Sequence, residues 1–468
     1  MPKKFYVTTA IDYVNSSPHV GHAFEKCLAD AIIRWHKIKG EKTFFLTGVD
    51  ENAQKNVQAA IKSGVSVKEF VNRNTNLFLE LCKKLNIGYD KFIRTSAKEH
   101  ALVVHETLNK IIKNGDIYKG KYEGLYCSGC EEFKTEKDLV NGKCPEHNKE
   151  PEVVSEEAYF FRLSKYREKL IKFVKGYIIP ESRRKEILVR LEEGLNDLCI
   201  SRRDVDWGID FPGDKDYKIY VWVDALINYI SGSKESWPAD VHVIGKGINW
   251  FHSVIWPALL MSADYKLPKT LLVHGYLNLG GRKISKSLGN TISPLELLKK
   301  YDSDSVRYSL LRCSVFEDSD YSEELLAGRH NNELADKLGN LISRVSALIE
   351  KNGLEKTENV LLKKLKLKEI ERYFENYELD KALNEIFSFI DNCNEYVQAK
   401  KPWETKDKKV LYELADSIKA IGILLWPFIP DASEKIAKQF SFDISFNEIQ
   451  KPLKVSKIKK GEILFKKI

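Results

Sequence analysis

The chain has 468 residues, of which 43% are hydrophobic and 30% are charged, with a formal net charge of +8. This length exceeds one ordinary hydrophobic core and predicts several domains. The sequence shows no run of 18 apolar residues and no secretory leader pattern, so we expect no membrane span and a cytoplasmic location. The mild basic surplus permits an anionic partner without demanding one.

The first fifty residues read as a strand, a loop, a helix and a second strand. Residues 4–11 are rich in β-branched and aromatic side chains, and residues 42–51 form a nearly continuous apolar run. Between them, apolar side chains from Ala23 onwards recur at helical spacing, and Gly40 stands where a helix C-terminus favours left-handed backbone. This βαβ unit is typical of a doubly wound parallel sheet.

Downstream, the pattern divides into a resumed α/β part and a helical part. Helical periodicity covers 52–63, 66–85 and 97–113, and residues 118–150 have little periodicity and indicate an insertion. Strand-like runs return at 218–226, 240–247 and 270–277, and helical periodicity fills 331–351, 359–376, 378–400 and 407–425. The predicted fold class is α/β, a Rossmann-like doubly wound parallel sheet with an insertion, followed by an all-α helical bundle.

The stretch PHVGH places two histidines, His19 and His22, between the first strand and the first helix. A helix N-terminus offers unpaired N–H groups and a partial positive charge, which together form an anion site. Gly21 lets the backbone approach a ligand closely. Taken alone, the motif is equally typical of two ordinary loop histidines.

A second motif, GGRKISKSLGN at 280–290, is a glycine-flanked cationic loop. It places Lys283 and Lys286 three residues apart, interleaved with Ser285 and Ser287. Ser293 and Pro294 then read as the N-cap and first residue of a helix. Taken alone, this loop is equally typical of solvated lysines.

Together the two motifs resemble the paired signatures of class I aminoacyl-tRNA synthetases, which usually read HIGH and KMSKS. The resemblance implies ATP as a substrate with Mg²⁺ as its cofactor. It also implies catalysis and ATP binding by His19, His22, Lys283 and Lys286, and further ATP contacts from Gly21, Ser285 and Ser287. The attack of a carboxylate on the α-phosphorus moves charge onto pyrophosphate, so positioning and electrostatics carry the reaction.

Within that class, the stretches TTAIDYVNSSPHVGHAFEKC, FLTGVDENAQK, YVWVDALINYI and NWFHSVIWPALL are similar to the methionyl-tRNA synthetases, and the likeness covers nearly the whole chain. It implies that methionine is bound by Ile11, Tyr13, Asp50, Trp222, Ala225, Tyr229, His252 and Trp256. Asp50 would face the ammonium group, and aromatic walls suit a thioether. Two positions depart from the family, Leu226 where it usually has proline and Gly247 where it often has aspartate.

Four residues form a C-x2-C…C-x2-H pattern: Cys127, Cys130, Cys144 and His147. This spacing is a strong indicator of one closed, structural Zn²⁺ site. Its position inside the insertion resembles the single zinc-knuckle subtype of the family.

In the helical part, the resemblance implies that Asn340, Arg344 and Trp403 read the anticodon of initiator and elongator tRNA(Met). Tryptophan can stack on an unpaired base, and the other two can hydrogen-bond base edges. Trp403 is also readable as a buried anchor between helices. The last 18 residues hold seven lysines and one glutamate, and a solvated tail or a tRNA contact are both open.

The resemblance also implies a domain order. Residues 1–115 and 218–290 are the two halves of the catalytic domain, 116–217 the insertion with the zinc knuckle, 291–330 a linking stem-contact region and 331–468 the anticodon-binding bundle. No appended dimerisation domain follows, so a monomer is expected.

Three alternatives remain at this point. Cysteinyl-tRNA synthetases disperse their zinc ligands along the chain, unlike the cluster here. A non-catalytic tRNA-binding paralogue would break the nucleotide motifs, which are present apart from Gly247. A small-molecule nucleotidyltransferase would not need the helical part or Trp403.

Overall fold

The computed structural model describes residues 4–127, 132–134, 136–145, 148–203, 205–283, 291–455 and 457–468. Its strands, in chain order, are β1 (Lys4–Tyr13), β2 (Lys42–Asp50), β3 (Lys91–Arg94), β4 (Ile117–Cys127), β5 (Glu132–Lys134), β6 (Glu152–Phe161), β7 (Ile178–Ile179), β8 (Leu198–Cys199), β9 (Ser201–Arg203), β10 (Asp210–Phe211), β11 (Asp214–Ile219), β12 (Val241–Gly245), β13 (Thr270–His274), β14 (Leu277–Leu279), β15 (Arg282–Lys283) and β16 (Ser319–Asp320).

The α-helices are α1 (Val20–Ile38), α2 (Gln54–Ser63), α3 (Val67–Lys84), α4 (Lys98–Lys113), α5 (Arg167–Tyr177), α6 (Glu181–Glu193), α7 (Val221–Leu226), α8 (Asn228–Ser231), α9 (Trp256–Ser262), α10 (Pro294–Lys300), α11 (Ser303–Leu311), α12 (Glu323–Arg329), α13 (Asn340–Asn352), α14 (Leu367–Glu375), α15 (Leu379–Lys400), α16 (Pro402–Thr405), α17 (Lys408–Leu425) and α18 (Pro430–Phe440). Two segments, Phe251–Ile255 and His330–Gly339, are π-helical. Short 3₁₀ turns cover Glu136–Asp138, Leu163–Tyr166, Lys246–Ile248, Leu361–Lys364 and Phe446–Glu448.

Among the described residues, six strands form one parallel sheet in the order β3-β2-β1-β12-β13-β7. The chain moves outward from β1 through β2 to β3, then returns to the other side of β1 with β12 and β13. The strand order therefore reverses between β1 and β12, which is the switch point where ligands bind in such folds. The predicted doubly wound sheet followed by a helical half is confirmed.

Helix α1 joins the sheet to the helical half. It contacts β1, β2 and β12 on one side. On the other side, the ring of Trp35 stacks on Phe374 of α14 with 4.0 Å between centroids. Gly40 just beyond its end has a φ of +78°, as its position in the sequence predicts.

A buried ion pair ties α1 to the helical half more firmly. The Asp30 carboxylate lies 2.7 Å from both Arg34 and Arg307, and the Arg307 guanidinium also donates at 3.0 Å to the carbonyl oxygens of Leu85, Pro427 and Phe428. Burial raises the pKa of Asp30, but the charges of the two arginines outweigh burial and hold it below its usual value.

In the same junction, three residues before Arg307, Asp304 caps α18. Its carboxylate accepts hydrogen bonds from the backbone N–H groups of Asp431 (3.3 Å) and Ala432 (2.6 Å). Burial raises the pKa of Asp304 to about 7 despite these bonds. The Asp304 carboxylate therefore lies at the N-terminus of α18, where the helix carries a partial positive charge.

The predicted strand at 218–226 is wrong. Strand β11 ends at Ile219, lies in a small antiparallel sheet with β9 and β10, and is followed directly by α7. All six residues of α7 are buried. A fully buried helix has no polar face, so its short apolar run cannot be distinguished from a buried strand by periodicity.

The predicted insertion contains a long β-hairpin that its sequence did not indicate. Strands β4 and β6 pair antiparallel from Ile117↔Phe161 to Tyr126↔Glu152. Farther along, β7 lies within the predicted insertion range, yet it pairs with β13 at the edge of the main sheet. The domain boundaries themselves stay predictions.

Within the described residues, no helix combines the length and the apolar character needed to cross a membrane.

Candidate functional site

The carboxyl ends of β1, β2 and β12 define the site. Tyr13 and Asp50 are register partners at the ends of β1 and β2, and Gly245 ends β12 on the other side of β1. The loop that carries His19 follows β1 directly, so the first motif lies at the switch point of the sheet.

His19 and His22 form a reciprocal cap on α1. The His19 ring nitrogen Nδ1 accepts from the backbone N–H of Gly21 at 3.1 Å, and the His22 Nδ1 accepts from the backbone N–H of His19 at 3.1 Å. The two rings stack with centroids 3.7 Å apart. A capping box of this kind usually uses Ser or Thr with Glu or Gln, so a pair of histidines does not indicate one in the sequence.

The cap fixes the tautomers of both rings. Because each Nδ1 accepts a hydrogen bond, a neutral ring carries its proton on Nε2 and presents an N–H donor there. The His22 Nε2 lies 3.7 Å from Asp12 Oδ1, and Lys26, fully buried, donates to the other oxygen of Asp12 at 2.5 Å. Both imidazoles are therefore held as donors beside a helix N-terminus, as phosphate oxygens require.

The lysine motif is described only at its two flanks. Residues 284–290, with Ser285, Lys286 and Ser287, lie outside the described part of the chain, as does the side chain of Lys283. Before them, β15 pairs with β14, and after them the Ile292 carbonyl accepts from the backbone N–H of Val20 at 3.1 Å. Since Val20 lies between the two histidines, the structure brings the segment that follows the second motif next to the first.

Asp50 lies in a buried polar network. It is 1% exposed, and its Oδ1 accepts from the backbone N–H of Asn52 at 3.0 Å and the hydroxyl of Thr95 at 3.2 Å. The amide of Asn52 donates to Asp224 at 2.7 Å, and Asp224 also bonds His100 at 2.6 Å. Sequence reasoning missed these supporting residues, although Asp224 stands inside the quoted YVWVDALINYI.

Most of the predicted methionine-binding residues gather in one aromatic cluster. The ring of Trp222 stacks on Phe251 at 3.7 Å and meets Tyr13 edge-on at 6.3 Å and His252 at 6.4 Å. The hydroxyl of Tyr229 bonds His252 Nε2 at 2.7 Å. Trp256 is fully buried beside Tyr229, Ala225 is buried, and Ile11 is half-buried against the same core.

Burial keeps the histidines of this cluster neutral. Burial lowers the pKa of His252 to about 4. It also holds the pKa of His242, whose ring lies 4.2 Å from that of Tyr229, well below its ordinary value. Nδ1 of His252 donates to the carbonyl of Ile248 at 3.0 Å, so Nε2 is the acceptor for the Tyr229 hydroxyl. The walls of the cluster thus carry no charge near neutral pH, which suits an apolar side chain.

The structure gives a physical account of Gly247. A Cβ at this position would lie 2.1 Å from the hydroxyl oxygen of Tyr276, which follows β13. Neighbouring Lys246 pairs with Asp318 at 2.7 Å and lies 4.7 Å from the Tyr276 ring centroid. Tyr276 therefore occupies the space that a side chain at position 247 would need. Leu226, the second departure, ends α7 with its side chain 1% exposed.

Only half of the predicted zinc set is described. Cys127 ends β4, and both Cys127 and Cys144 are buried. Cys144 lies in a tight turn, because its carbonyl accepts from the backbone N–H of Asn148 at 2.7 Å. Cys130 and His147 lie outside the described residues, and among those described no group of three His, Cys, Asp or Glu side chains is placed to hold a metal.

The three predicted anticodon residues lie in the helical half, away from the sheet. Trp403 is 40% exposed on α16, and its indole N–H donates to Glu404 at 3.2 Å, so it is not a buried anchor. Asn340 is exposed at the start of α13, and Arg344 is half-buried one turn along. Lys337, one turn before Asn340, pairs with Asp391 of α15 at 2.8 Å, so α13 starts beside the helix that leads to Trp403.

Comparison with known proteins gives the same picture. A family model described as tRNA synthetases class I (M) matches residues 5–151 and 137–346, and one for the anticodon-binding domain of tRNA ligases matches 360–465. The methionine--tRNA ligase of Caldanaerobacter subterraneus subsp. tengcongensis is 41% identical over 509 residues, covering 100% of this chain and 79% of its own. That of Thermotoga maritima is 41% identical over 511 residues, covering 99% of this chain and 80% of its own.

A solved structure of Mycobacterium tuberculosis methionyl-tRNA synthetase in complex with methionyl-adenylate matches with a TM-score of 0.95 at 34% identity, covering 99% of both chains. The apo form of that enzyme matches with a TM-score of 0.87 at 32% identity. Since curated relatives match at this identity over its full length, the chain belongs to the methionyl-tRNA synthetases, a family of class I aminoacyl-tRNA synthetases.

Proposed function

We propose that this enzyme ligates L-methionine to tRNA(Met) in two steps, with ATP consumed to form methionyl-adenylate in the first. The observation that carries the proposal is the double-histidine cap of α1 at the switch point of the sheet. It presents two Nε2–H donors and a helix N-terminus to one side of the crevice that Asp50 borders.

In the first step, the carboxylate of methionine attacks the α-phosphorus of ATP and pyrophosphate leaves. His19 and His22 donate to the phosphate oxygens, and Gly21 lets the backbone approach them. Lys283 and Lys286, with Ser285 and Ser287, close over the triphosphate from the second motif. No protein nucleophile is needed, because these groups position the reactants and stabilise the charge that develops. Mg²⁺ bound with ATP would share that charge.

Methionine is held by its two ends. The Asp50 carboxylate faces the ammonium group, and the network through Asn52 and Asp224 keeps that carboxylate in place. Neutral aromatic walls from Tyr13, Trp222 and His252, with the other residues of the cluster, enclose the thioether.

Zinc supports the insertion rather than the reaction. We assign its ligands as Cys127, Cys130, Cys144 and His147. The burial of the two described thiols and the tight turn at Cys144 fit such a site. A bound ion would supply a closed tetrahedral crosslink. Metal analysis of the purified protein tests this, with one equivalent of zinc expected and none contradicting it.

In the second step, the 3′-terminal adenosine of the tRNA takes the methionyl group. Trp403 stacks on an anticodon base, and Asn340 and Arg344 bond base edges. The exposure of the Trp403 ring supports this role. We expect the enzyme to be a monomer, and sedimentation equilibrium measures its oligomeric state. We expect it in the cytoplasm.

The test is ATP–pyrophosphate exchange with a panel of amino acids. Methionine should drive exchange well above every other amino acid. Stronger exchange with cysteine would point to the cysteine enzymes, and no exchange with any amino acid would point to a tRNA-binding paralogue. Charging of a tRNA(Met) transcript with methionine then tests the second step.

A further inference from the structure

We propose that the C-terminal strap, residues 451–455 and 457–468, is a docking surface for the sugar-phosphate backbone of the bound tRNA. This inference rests on the proposed function and adds a contact surface to it.

The strap is fixed to the helical half by its apolar side chains and backbone. Leu453, Ile458 and Phe465 are 3%, 3% and 5% exposed. The carbonyl of Leu453 accepts from the Tyr412 hydroxyl at 2.9 Å, and its N–H donates to Asp416 at 2.9 Å. The segment is therefore a packed part of the fold, although it has no regular secondary structure.

Its far part is tied to the π-helical segment that precedes α13. The His330 Nε2–H donates to the carbonyl of Lys466 at 2.7 Å, and His330 Nδ1 bonds the Ser305 hydroxyl at 2.7 Å. Asn331 bonds both the N–H and the carbonyl of Ile468 at 3.0 Å. Between these anchors, Gln439 of α18 donates to the carbonyl of Lys459 at 3.0 Å.

Anchoring leaves the charges outside. The lysines of the strap are all exposed: Lys451, Lys454, Lys457, Lys459, Lys460, Lys466 and Lys467. Lys451 pairs with Glu448 and Lys467 with Asp336, whereas within the described ranges the other five are in no ion pair. Exposed ammonium groups on an anchored segment, in excess over its single glutamate, attract a polyanion without sequence selectivity.

The position of the strap favours RNA over other polyanions. Asp336, which holds Lys467 at 2.8 Å, also accepts from the amide of Asn340 at 3.5 Å. The strap therefore ends beside the residue proposed to read the anticodon. A tRNA whose anticodon lies on α13 has phosphates close to the Lys467 end of the strap, and phosphate contacts of this kind set its orientation.

The decisive variant is Lys457→Gln/Lys459→Gln/Lys460→Gln, which removes three exposed charges and leaves every anchor intact. The matched control, Lys356→Gln/Lys364→Gln/Lys368→Gln, removes three exposed lysines from the same half of the molecule, off the strap. A third variant with arginine at 457, 459 and 460 keeps the charge. Binding of a tRNA(Met) transcript is measured between about 50 and 200 mM salt.

In the strap Gln variant, the slope of log Kd against log salt should fall by about 2–3, and Kd at the lower salt should rise at least about tenfold. The control and the arginine variant should bind as the wild type does. Unchanged affinity in the strap variant, or an equal loss in the control, would overturn the proposal. The proposal would also be overturned if the wild type bound anionic phospholipid vesicles while its tRNA affinity did not depend on the strap charges.

Methionine-dependent exchange, run on all four proteins, separates this inference from the proposed function. Equal exchange in all four supports a strap that acts only through tRNA, and it shows that each variant is folded. Loss of exchange in the strap variant alone would overturn that role. Absence of exchange in the wild type would refute the proposed function, while the tRNA binding data still decide the strap.

Discussion

The two ends of this molecule handle their ligands in opposite ways. At the carboxyl edge of the sheet, Asp50 is 1% exposed and His252 is 2% exposed. In the helical half, Trp403 is 40% exposed and Asn340 lies open at the start of α13. A small ligand needs a dry, pre-formed cavity whose polar groups are already held, whereas a single-stranded base can be met by a side chain that projects into solvent.

The difference predicts where mutations will be felt. At the carboxyl edge of the sheet, the closed end, a polar group acts through partners that are themselves buried. Its loss therefore changes the chemistry and the local packing together. In the helical half, the open end, an exposed side chain can be removed with little effect on folding. Activation and tRNA charging are therefore separable by mutation.

The largest effect is expected from His22→Ala at the closed end. It removes an Nε2–H donor to the phosphates, and loss of one such donor costs about 2–4 kcal/mol in the transition state, or roughly 30- to 1,000-fold in rate. Steady-state exchange kinetics measure it, with kcat falling far more than methionine KM rises. An unchanged kcat would remove His22 from the mechanism.

His22→Gln is the matched control for the cap. Glutamine at this position can accept from the backbone N–H of His19, as in an ordinary capping box. Its melting temperature should stay near that of the wild type while its exchange rate stays low. A wild-type rate would show that the cap alone is what the reaction needs.

At the open end, Trp403→Ala should leave exchange intact and lower the kcat/KM for tRNA(Met) charging. Stacking of one base on an aromatic ring contributes about 1–3 kcal/mol, which corresponds to roughly 5- to 150-fold. Trp403→Phe keeps a ring and should lose less. Equal loss in exchange and charging would make Trp403 structural.

A smaller effect is expected at the boundary of the closed end. Gly247→Ala places a Cβ against the Tyr276 hydroxyl, and overpacking of this kind costs about 1–3 kcal/mol where neighbours cannot move. The ATP KM in exchange and the melting temperature report it. Adding Tyr276→Phe leaves the nearest ring carbon at 3.4 Å and should restore both. A single variant that behaves as wild type would show that Tyr276 moves freely.

The smallest effect concerns the junction between the two ends. Burial raises the pKa of Asp304 from 3.8 to about 7, so between these values the folded protein binds more protons than the unfolded chain. This contribution to stability is present at low pH and is lost as pH rises towards 7. From pH 5 to 8, the melting temperature should fall by roughly 2–4 °C more in the wild type than in Asp304→Asn. Parallel curves would contradict it.

The fold was predictable where each segment repeats one period. Strands β12 and β13 and helices α2, α3 and α4 lie where their patterns predict them. The structure of residues 218–226 was not predictable, because IYVWV is equally suited to a strand and to the buried helix α7. Only packing against the neighbouring strands decides between the two. The β4–β6 hairpin was missed because its polar and charged residues follow no clear alternation.

The candidate site was predictable from short motifs and a family likeness. Asp50 and the aromatic cluster could be named in that way, whereas His100 and Thr95 could not. Those two act through contacts with residues more than forty positions away, which no local pattern records. The exposure of Trp403 likewise needed the packing of α16 to be known.

The Arg307 guanidinium, bonded at once to Asp30 of α1 and to the carbonyls of Leu85, Pro427 and Phe428, has a consequence for how the enzyme comes apart. If the helical half unfolded alone, the buried Arg307 guanidinium would lose part of its hydrogen-bond partners, at a cost of several kcal/mol. The two halves are thereby coupled into one cooperative unit. On unfolding, the enzyme loses its anticodon-binding surface and its active site together.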